Sequence, residues 1–206
     1  ARGKSTIVDE WAAKNNAVYL RAKEQWTPSF FIDDLAEKLR VDTSGKAKAR
    51  FQRVVARIGH ERLPIVIDEV QHTLRDNAAV LEVLRDITDL TETPVILVAG
   101  VENVQSRIAR HKAISSRIYK EVEFQPNTLD DTALVCREMS DVIIADDLVQ
   151  EIHARSAGLM RSIVNAISTV ELHARRMKAT QVCLANMNGM ELVHDWQARR
   201  QRKAVR

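Results

Sequence analysis

The chain has 206 residues, 45% of them hydrophobic and only 4% aromatic, which is the size of one large domain or of one domain with a small lid. No apolar run is long enough to cross a bilayer and no signal peptide is visible, so the expectation is a cytoplasmic protein without membrane contact. The net charge of +3 is concentrated in the tail: Arg199, Arg200, Arg202, Lys203 and Arg206 occur there without an acid, and setting those five aside leaves 26 of the 31 basic residues against 28 acids.

Such a tail is either a contact for nucleic acid or a solvated end, and both readings stay open. The two cysteines, Cys136 and Cys183, are far apart and sit among apolar neighbours. They have no metal-ligand spacing, so they read as buried thiols in a reducing compartment. His60 and His111 have no ligand-like partner either, and magnesium is the one metal expected.

In chain order, the first feature is Arg2-Gly3-Lys4-Ser5-Thr6, the back half of a phosphate loop G-x-x-x-x-G-K-[ST]. Only Ala1 and Arg2 precede Gly3, so the first glycine of the loop and the strand that feeds it are missing. Sheets of this class place that strand in the middle, where its loss would leave backbone unpaired on both neighbours. The expectation is therefore a chain that continues upstream. Ser5–Asn15 follows as a helix with Ile7, Val8, Trp11 and Ala12 inward. Next come a strand at Ala17–Leu20 and a loop around Trp26. A helix at Pro28–Arg40, with Phe31, Leu35 and Leu39 inward, is broken by Asp42-Thr43-Ser44-Gly45. A helix at Lys46–Glu61 leads to the strand Pro64–Ile67. Beyond it are a helix near Asn77–Leu90, the strand Val95–Ala99, a helix near Asn103–Ala109 and a strand at Lys120–Phe124. Strands alternating with helices predict a parallel α/β sheet covered on both faces.

After Pro126 the pattern changes to helices at Leu129–Asp141, Asp147–Ser156 and Met160–Met177, then a last segment ending near Gln201. Thr128 with Asp130 and Asp131 marks a helix start. The expected organisation is an α/β core over 1–126, a helical lid over 127–198 and a basic tail over 199–206.

The chemistry lies in Leu63-Pro64-Ile65-Val66-Ile67-Asp68-Glu69, an apolar run ending in two acids. A triphosphate needs backbone N–H groups around it, a lysine on its outer phosphates and a hydroxyl on its magnesium, which Gly3, Lys4 and Ser5 supply at the start of a helix. A buried strand then delivers Asp68 to the magnesium shell and leaves Glu69 to orient the attacking water. Alone, Gly3-Lys4-Ser5 is a chance tripeptide and Asp68-Glu69 a solvated strand end. In this order they predict binding and hydrolysis of a nucleoside triphosphate.

Further features follow the order of an AAA+ ATPase. Val95–Ala99 ends at Gly100, a basic segment runs from Arg107 to Arg117, and Gly158-Leu159-Met160-Arg161 opens a lid helix. Within that class the chain resembles the MuB/TnsC-type transposition ATPases, the target-capture proteins of transposable phages and related transposons. The resemblance is carried by Asp68-Glu69-Val70-Gln71-His72, Ala17-Val18-Tyr19-Leu20 with Trp26-Thr27-Pro28, Ser116-Arg117-Ile118, and Ser156-Ala157-Gly158-Leu159-Met160-Arg161. It covers nearly the whole chain, although the D-E-x-Q-H stretch is shared with ATPases of the secretion-associated ExeA type. The resemblance implies ATP-dependent filaments or rings on duplex DNA in a bacterial host, with little sequence preference, and recruitment of a transposase. It also implies roles by position. Gly3, Lys4, Ser5 and Thr6 would hold ATP, with Ser5 and Asp68 on magnesium. Glu69 would position water, and Arg161 would act as lid sensor. Arg117, with Arg110 and Arg107 behind it, would reach a neighbour's nucleotide. The family has a small polar residue after Gly100 where this chain has Val101, so Glu102 or Asn103 is the substitute sensor.

For DNA, Lys46, Arg50, Arg53 and Arg57 fall on one face of their helix, a row of about 16 Å at 1.5 Å per residue. Phe51, Val54, Val55 and Ile58 form the opposite stripe. Such a row suits sequence-independent phosphate contacts; a plain amphipathic helix with a solvated basic face is the competing reading. Arg21 and Lys23 are a second candidate. Trp26 reads as a buried loop aromatic and His72 as a packing or hydrogen-bonding residue.

Overall fold

The structure, a computed structural model, describes residues 3–100 and 103–193. It divides into two compact units, one spanning Lys4–Val122 and the other built mainly from residue 123 onward.

The first unit is organised by a three-stranded parallel sheet in the order β1-β2-β3, with β1 at Val18–Arg21, β2 at Ile65–Asp68 and β3 at Val95–Leu97. The middle strand is buried at all four residues, which is why its sequence is a continuous apolar run rather than an alternation. Register places Val18, Ile65 and Val95 side by side, then Tyr19, Val66 and Ile96, then Leu20, Ile67 and Leu97, then Arg21 beside Asp68. Because side chains alternate across a strand, these rows face opposite sides of the sheet in turn.

Val18, Leu20, Ile65, Ile67, Val95 and Leu97 join the larger core with α2 (Pro28–Lys38), α3 (Ala47–Glu61) and α4 (Ala79–Thr91). Tyr19, Val66, Ile96 and Val98 pack on the other side against Val8, Trp11 and Ala12 of α1 (Lys4–Lys14). Thr27 caps α2, its hydroxyl accepting from the Phe30 N–H at 3.2 Å, and Pro28 supplies the first helical residue. Two short helices, α5 (Val104–Ile108) and α6 (Lys112–Ser115), complete the unit.

Three expectations change. Ile7 is 55% exposed; the inward stripe of α1 starts at Val8. Both β1 and β2 run one residue further than the apolar pattern suggests, so Arg21 and Asp68 are ladder residues rather than loop residues. Residues 120–124 form no strand. Their alternating pattern carries the propensity, but a strand exists only through its ladder, and none of the described strands offers them one.

The second unit holds α7 (Leu129–Met139), α8 (Asp146–Ser156) and α9 (Met160–Met177) around Cys136, Leu148, Ile152, Ile163, Ile167 and Val170. Thr128 and Asp131 form a reciprocal capping box at α7: the Thr128 hydroxyl accepts from the Asp131 N–H at 3.1 Å, and the Asp131 carboxylate accepts from the Thr128 N–H at 2.9 Å. Two-residue strands β4 (Ile143–Ile144) and β5 (Gln181–Val182) pair in parallel, an addition to the helical pattern. The expected final helix is replaced over Leu184–Met187 by a single 3-10 turn; its remainder from residue 194, and the basic tail, lie outside the described residues.

Candidate active site at the end of the middle strand

Asp68 is the last residue of β2 and only 2% exposed. A buried carboxylate needs hydrogen bonds, and this one has a donor on each oxygen. The Tyr19 hydroxyl donates to Oδ2 at 2.8 Å, and the Glu69 backbone N–H donates to Oδ1 at 2.8 Å. Tyr19 reaches Asp68 because the two lie on the same face of adjacent strands, two residues apart in register. Burial and then the Asp68 carboxylate push the Tyr19 phenol well above its ordinary pKa, which keeps it a neutral donor.

Glu69 turns the chain out of the sheet in a left-handed conformation, φ 56° and ψ 42°. The 3-10 turn that follows, Val70–Leu74, is hooked to the neighbouring strand by the Val70 N–H donating to Val98 O at 3.0 Å. The Glu69 carboxylate is held on both sides: Arg21 Nη2 donates to Oε1 at 3.2 Å, and Gln71 Nε2 donates to Oε2. Gln71 in turn accepts from the Gly100 N–H at 3.0 Å. On the far side of the turn, Glu24 lies 3.1 Å from Arg75 and 3.9 Å from His72, and Arg107 donates to Leu74 O at 3.4 Å.

The α1 side completes the arrangement. α1 closes with Ala17 N–H donating to Ala12 O and delivers the chain directly into β1. It packs back along the strands, so its N-terminus points toward their carboxyl ends, on the sheet face that carries Asp68. Gly3 has φ +75°, with open space where a side chain would stand, and Lys4, Ser5 and Thr6 form the first turn of the helix, whose leading N–H groups have no acceptor within the helix itself.

The other sequence candidates are placed as follows. Asn103 is the exposed residue before α5, and Val101 and Glu102 lie outside the described residues. Arg117 is held within its own chain by a two-pronged pair, Nε to Asp89 Oδ1 and Nη2 to Asp89 Oδ2, both at 2.9 Å. That pairing holds the Asp89 carboxyl below its ordinary range. Arg110 is exposed and has no side-chain partner among the described residues. Arg161 is exposed in the first turn of α9, in the second unit.

The cation row of α3 is largely engaged within the molecule. Arg50 Nε lies 2.6 Å from Asp33 Oδ1, although its N–H is not aimed at that oxygen, and Nη1 donates to Gly45 O at 2.6 Å. Arg53 donates to Asp42 O at 2.8 Å and to Ser44 O. Arg57 pairs with Glu61 at 2.9 Å, and Lys46 stands at the helix start. Lys23 pairs with Asp34 at 2.6 Å and lies over the Phe30 ring; Trp26 is buried and donates to Asp34 Oδ2 at 2.7 Å.

Sequence reasoning missed Tyr19, Gln71 and Arg21 as partners of the two acids, and held Arg21 only as a second candidate for DNA. The usable signal was register: once β1 lies beside β2, the residue opposite Asp68 neighbours Glu69.

With the geometry in hand, comparison with known proteins is decisive for the family. The sequence pattern that defines the AAA domain matches residues 2–108, just over half of the chain. The chain belongs to the AAA domain family. No curated protein sequence matches it. Among solved structures it is similar to the Orc1 protein of Aeropyrum pernix in complex with DNA, with a TM-score of 0.61 at 17% identity, covering 97% of this chain and 54% of that one. The chain thus spans about half the length of that relative, and the likeness concerns the fold: the parallel sheet and flanking helices are those of an AAA+ domain. Among the described residues, no helix is long and apolar enough to cross a membrane.

Proposed function

We propose that this AAA-domain chain binds ATP with magnesium, hydrolyses it, and assembles on duplex DNA to recruit a transposase. The observation that carries the hydrolytic part is the pair of acids at the end of β2. One is buried and fixed by Tyr19 on the α1 face; the other is turned out of the sheet and held between Arg21 and Gln71. That division suits a metal ligand followed by a group that orients water.

The residues present fit the group. The leading N–H groups of an eleven-residue helix and Lys4 suit phosphate oxygens, and Asp68 has one donor per oxygen, leaving lone pairs for a cation's shell. Ser5 would join Asp68 at the metal, and Gly3, Lys4 and Thr6 would surround the phosphates. Held there by Ser5 and Asp68, magnesium would supply positive charge to offset what builds on the phosphates. Glu69 would orient the water and take its proton as the water oxygen bonds to the γ-phosphorus and the bond from that phosphorus to the β–γ bridging oxygen breaks, releasing ADP and phosphate. Asn103, Arg117 and Arg161 would act as strand-tip sensor, partner-reaching arginine and lid sensor.

DNA as a partner is supported by the fold's likeness to the Orc1 protein in complex with DNA; the transposase and the homo-oligomeric filament or ring rest on the resemblance to the MuB/TnsC-type ATPases alone. A second reading, an ATPase acting on a non-DNA protein, gains from one observation: Arg50, Arg53 and Arg57 already have partners within the chain. Electron microscopy of the full-length protein with duplex DNA, with and without ATP, separates them. ATP-dependent filaments or rings on DNA are the expected result. Assemblies indifferent to DNA, with turnover unchanged by it, would favour the second.

A further inference from the structure

We propose that Gln71 is a positioning residue for Glu69 and couples it to the tip of β3, and that Gly100 is the residue that admits this coupling. The inference rests on the hydrolytic reading of Glu69.

The chemistry of the three groups permits one arrangement. The Gly100 backbone N–H can only donate, so the oxygen of the Gln71 carboxamide must face it, as it does at 3.0 Å. The Glu69 carboxylate can only accept, so the amide nitrogen must face Oε2, as it does. The orientation of the carboxamide is therefore dictated by its neighbours. A glutamate at 71 would keep the shape and the bond from Gly100 but would set a second negative charge against Glu69.

Gly100 is required by space. A methyl group there would overlap the Glu69 carboxylate and come within 2.9 Å of Gln71 Nε2. The left-handed backbone of Glu69 and the Val70–Val98 hydrogen bond bring the turn against β3, so Gln71 reaches the strand tip only two residues after the acid it serves. With Arg21 on Oε1 and Gln71 on Oε2, the carboxylate plane is set while each oxygen retains a lone pair for water. Movement of the segment that follows β3 is carried to the Glu69 carboxylate through the Gln71 side chain.

The test is steady-state ATP hydrolysis by the full-length protein, with nucleotide affinity and melting temperature measured alongside. Gln71→Ala is expected to lower kcat by about tenfold or more while KM stays within about twofold, because misplacing a group that acts only in the transition state leaves substrate binding alone. Gln71→Glu, of the same shape, is expected to lower kcat at least as far with no loss of melting temperature. Gly100→Ala should reproduce the kcat loss, and the double variant Gln71→Ala, Gly100→Ala should lose little more than either alone, as expected of coupled residues. Wild-type kcat in Gln71→Ala and Gln71→Glu, in a protein where Glu69→Gln blocks turnover, would overturn the inference and leave the hydrolytic reading standing. Normal turnover in Glu69→Gln would overturn both.

Discussion

The end of β2 and the exposed face of α3 both stand out as charge clusters in the sequence, and the fold treats them in opposite ways. At β2 the strand carries Asp68 into the interior, and the sheet supplies Tyr19 and Arg21 from the neighbouring strand to hold the two acids. On α3 the cations stay at the surface, where Asp33, Asp42, Glu61 and the carbonyls of Gly45 and Ser44 meet them. Arg50 and Arg53 thereby fasten the 42–45 loop and α2 to α3. Helical spacing places a charge on a face; only the neighbours decide whether it is available to a ligand.

Function should break at the first cluster and stability at the second. The largest effect is expected from Glu69→Gln, which should lower hydrolysis by roughly 10²–10⁴-fold while ATP binding persists. A nucleotide-binding titration beside a phosphate-release assay reads both; equal loss of binding would move Glu69 from the chemistry to the scaffold. Next, Lys4→Ala should weaken ATP binding by on the order of 10–100-fold, since one charge-assisted contact to phosphate contributes about 1.5–3 kcal/mol. Unchanged affinity would detach the α1 start from the site.

At the second cluster, Arg50→Ala should destabilise the fold by about 1–3 kcal/mol in denaturant unfolding, because it leaves Asp33 without its cation and frees Gly45 O. Lys46→Ala, at the uncapped helix start, should change stability by less than about 0.5 kcal/mol. If Lys46→Ala weakens DNA binding while Arg50→Ala does so only through unfolding, the DNA contact lies at the end of the row and not along it. Arg117→Ala should cost less than about 1 kcal/mol, the value of an exposed pair, and should depress turnover only in the assembled protein. A loss of turnover that does not vary with protein concentration would argue against a role on a neighbouring subunit.

The smallest effect is a pH dependence at the second unit. The Thr128 N–H, and then its hydroxyl, hold the Asp131 carboxyl below the ordinary carboxylate range. A group depressed on folding adds stability above its unfolded pKa and loses it as pH falls through the folded value. Unfolding of Asp131→Asn should therefore differ from the parent at neutral pH and converge with it in acid. A difference that persists in acid would mean that the Asp131 side chain acts through its shape and hydrogen bonding rather than its charge, and no difference at any pH would mean that the cap acts through the Thr128 hydroxyl alone.

Much of the fold was legible in advance. The helix faces of α2 and α3 follow from their apolar spacing, and β2 from its unbroken run of Ile65, Val66 and Ile67. The misjudged places are those where a partner far along the chain matters. Residues 120–124 have strand chemistry but no ladder, and β1 and β2 extend by one residue because they pair with each other. At the site, Asp68 and Glu69 were readable as a pair of acids. Their partners were not, since Tyr19 lies 49 residues from Asp68 and Gly100 lies 29 from Gln71.

By itself the sequence determined most element types, the alternation that makes a parallel sheet, and the adjacent acids at the end of its middle strand, because periodicity and local chemistry are written along a few consecutive residues. The tertiary structure alone decided which of those charges remain free and which residues hold Glu69 in place. Both depend on groups that are distant in the chain and adjacent only after the strands have paired and the helices have packed.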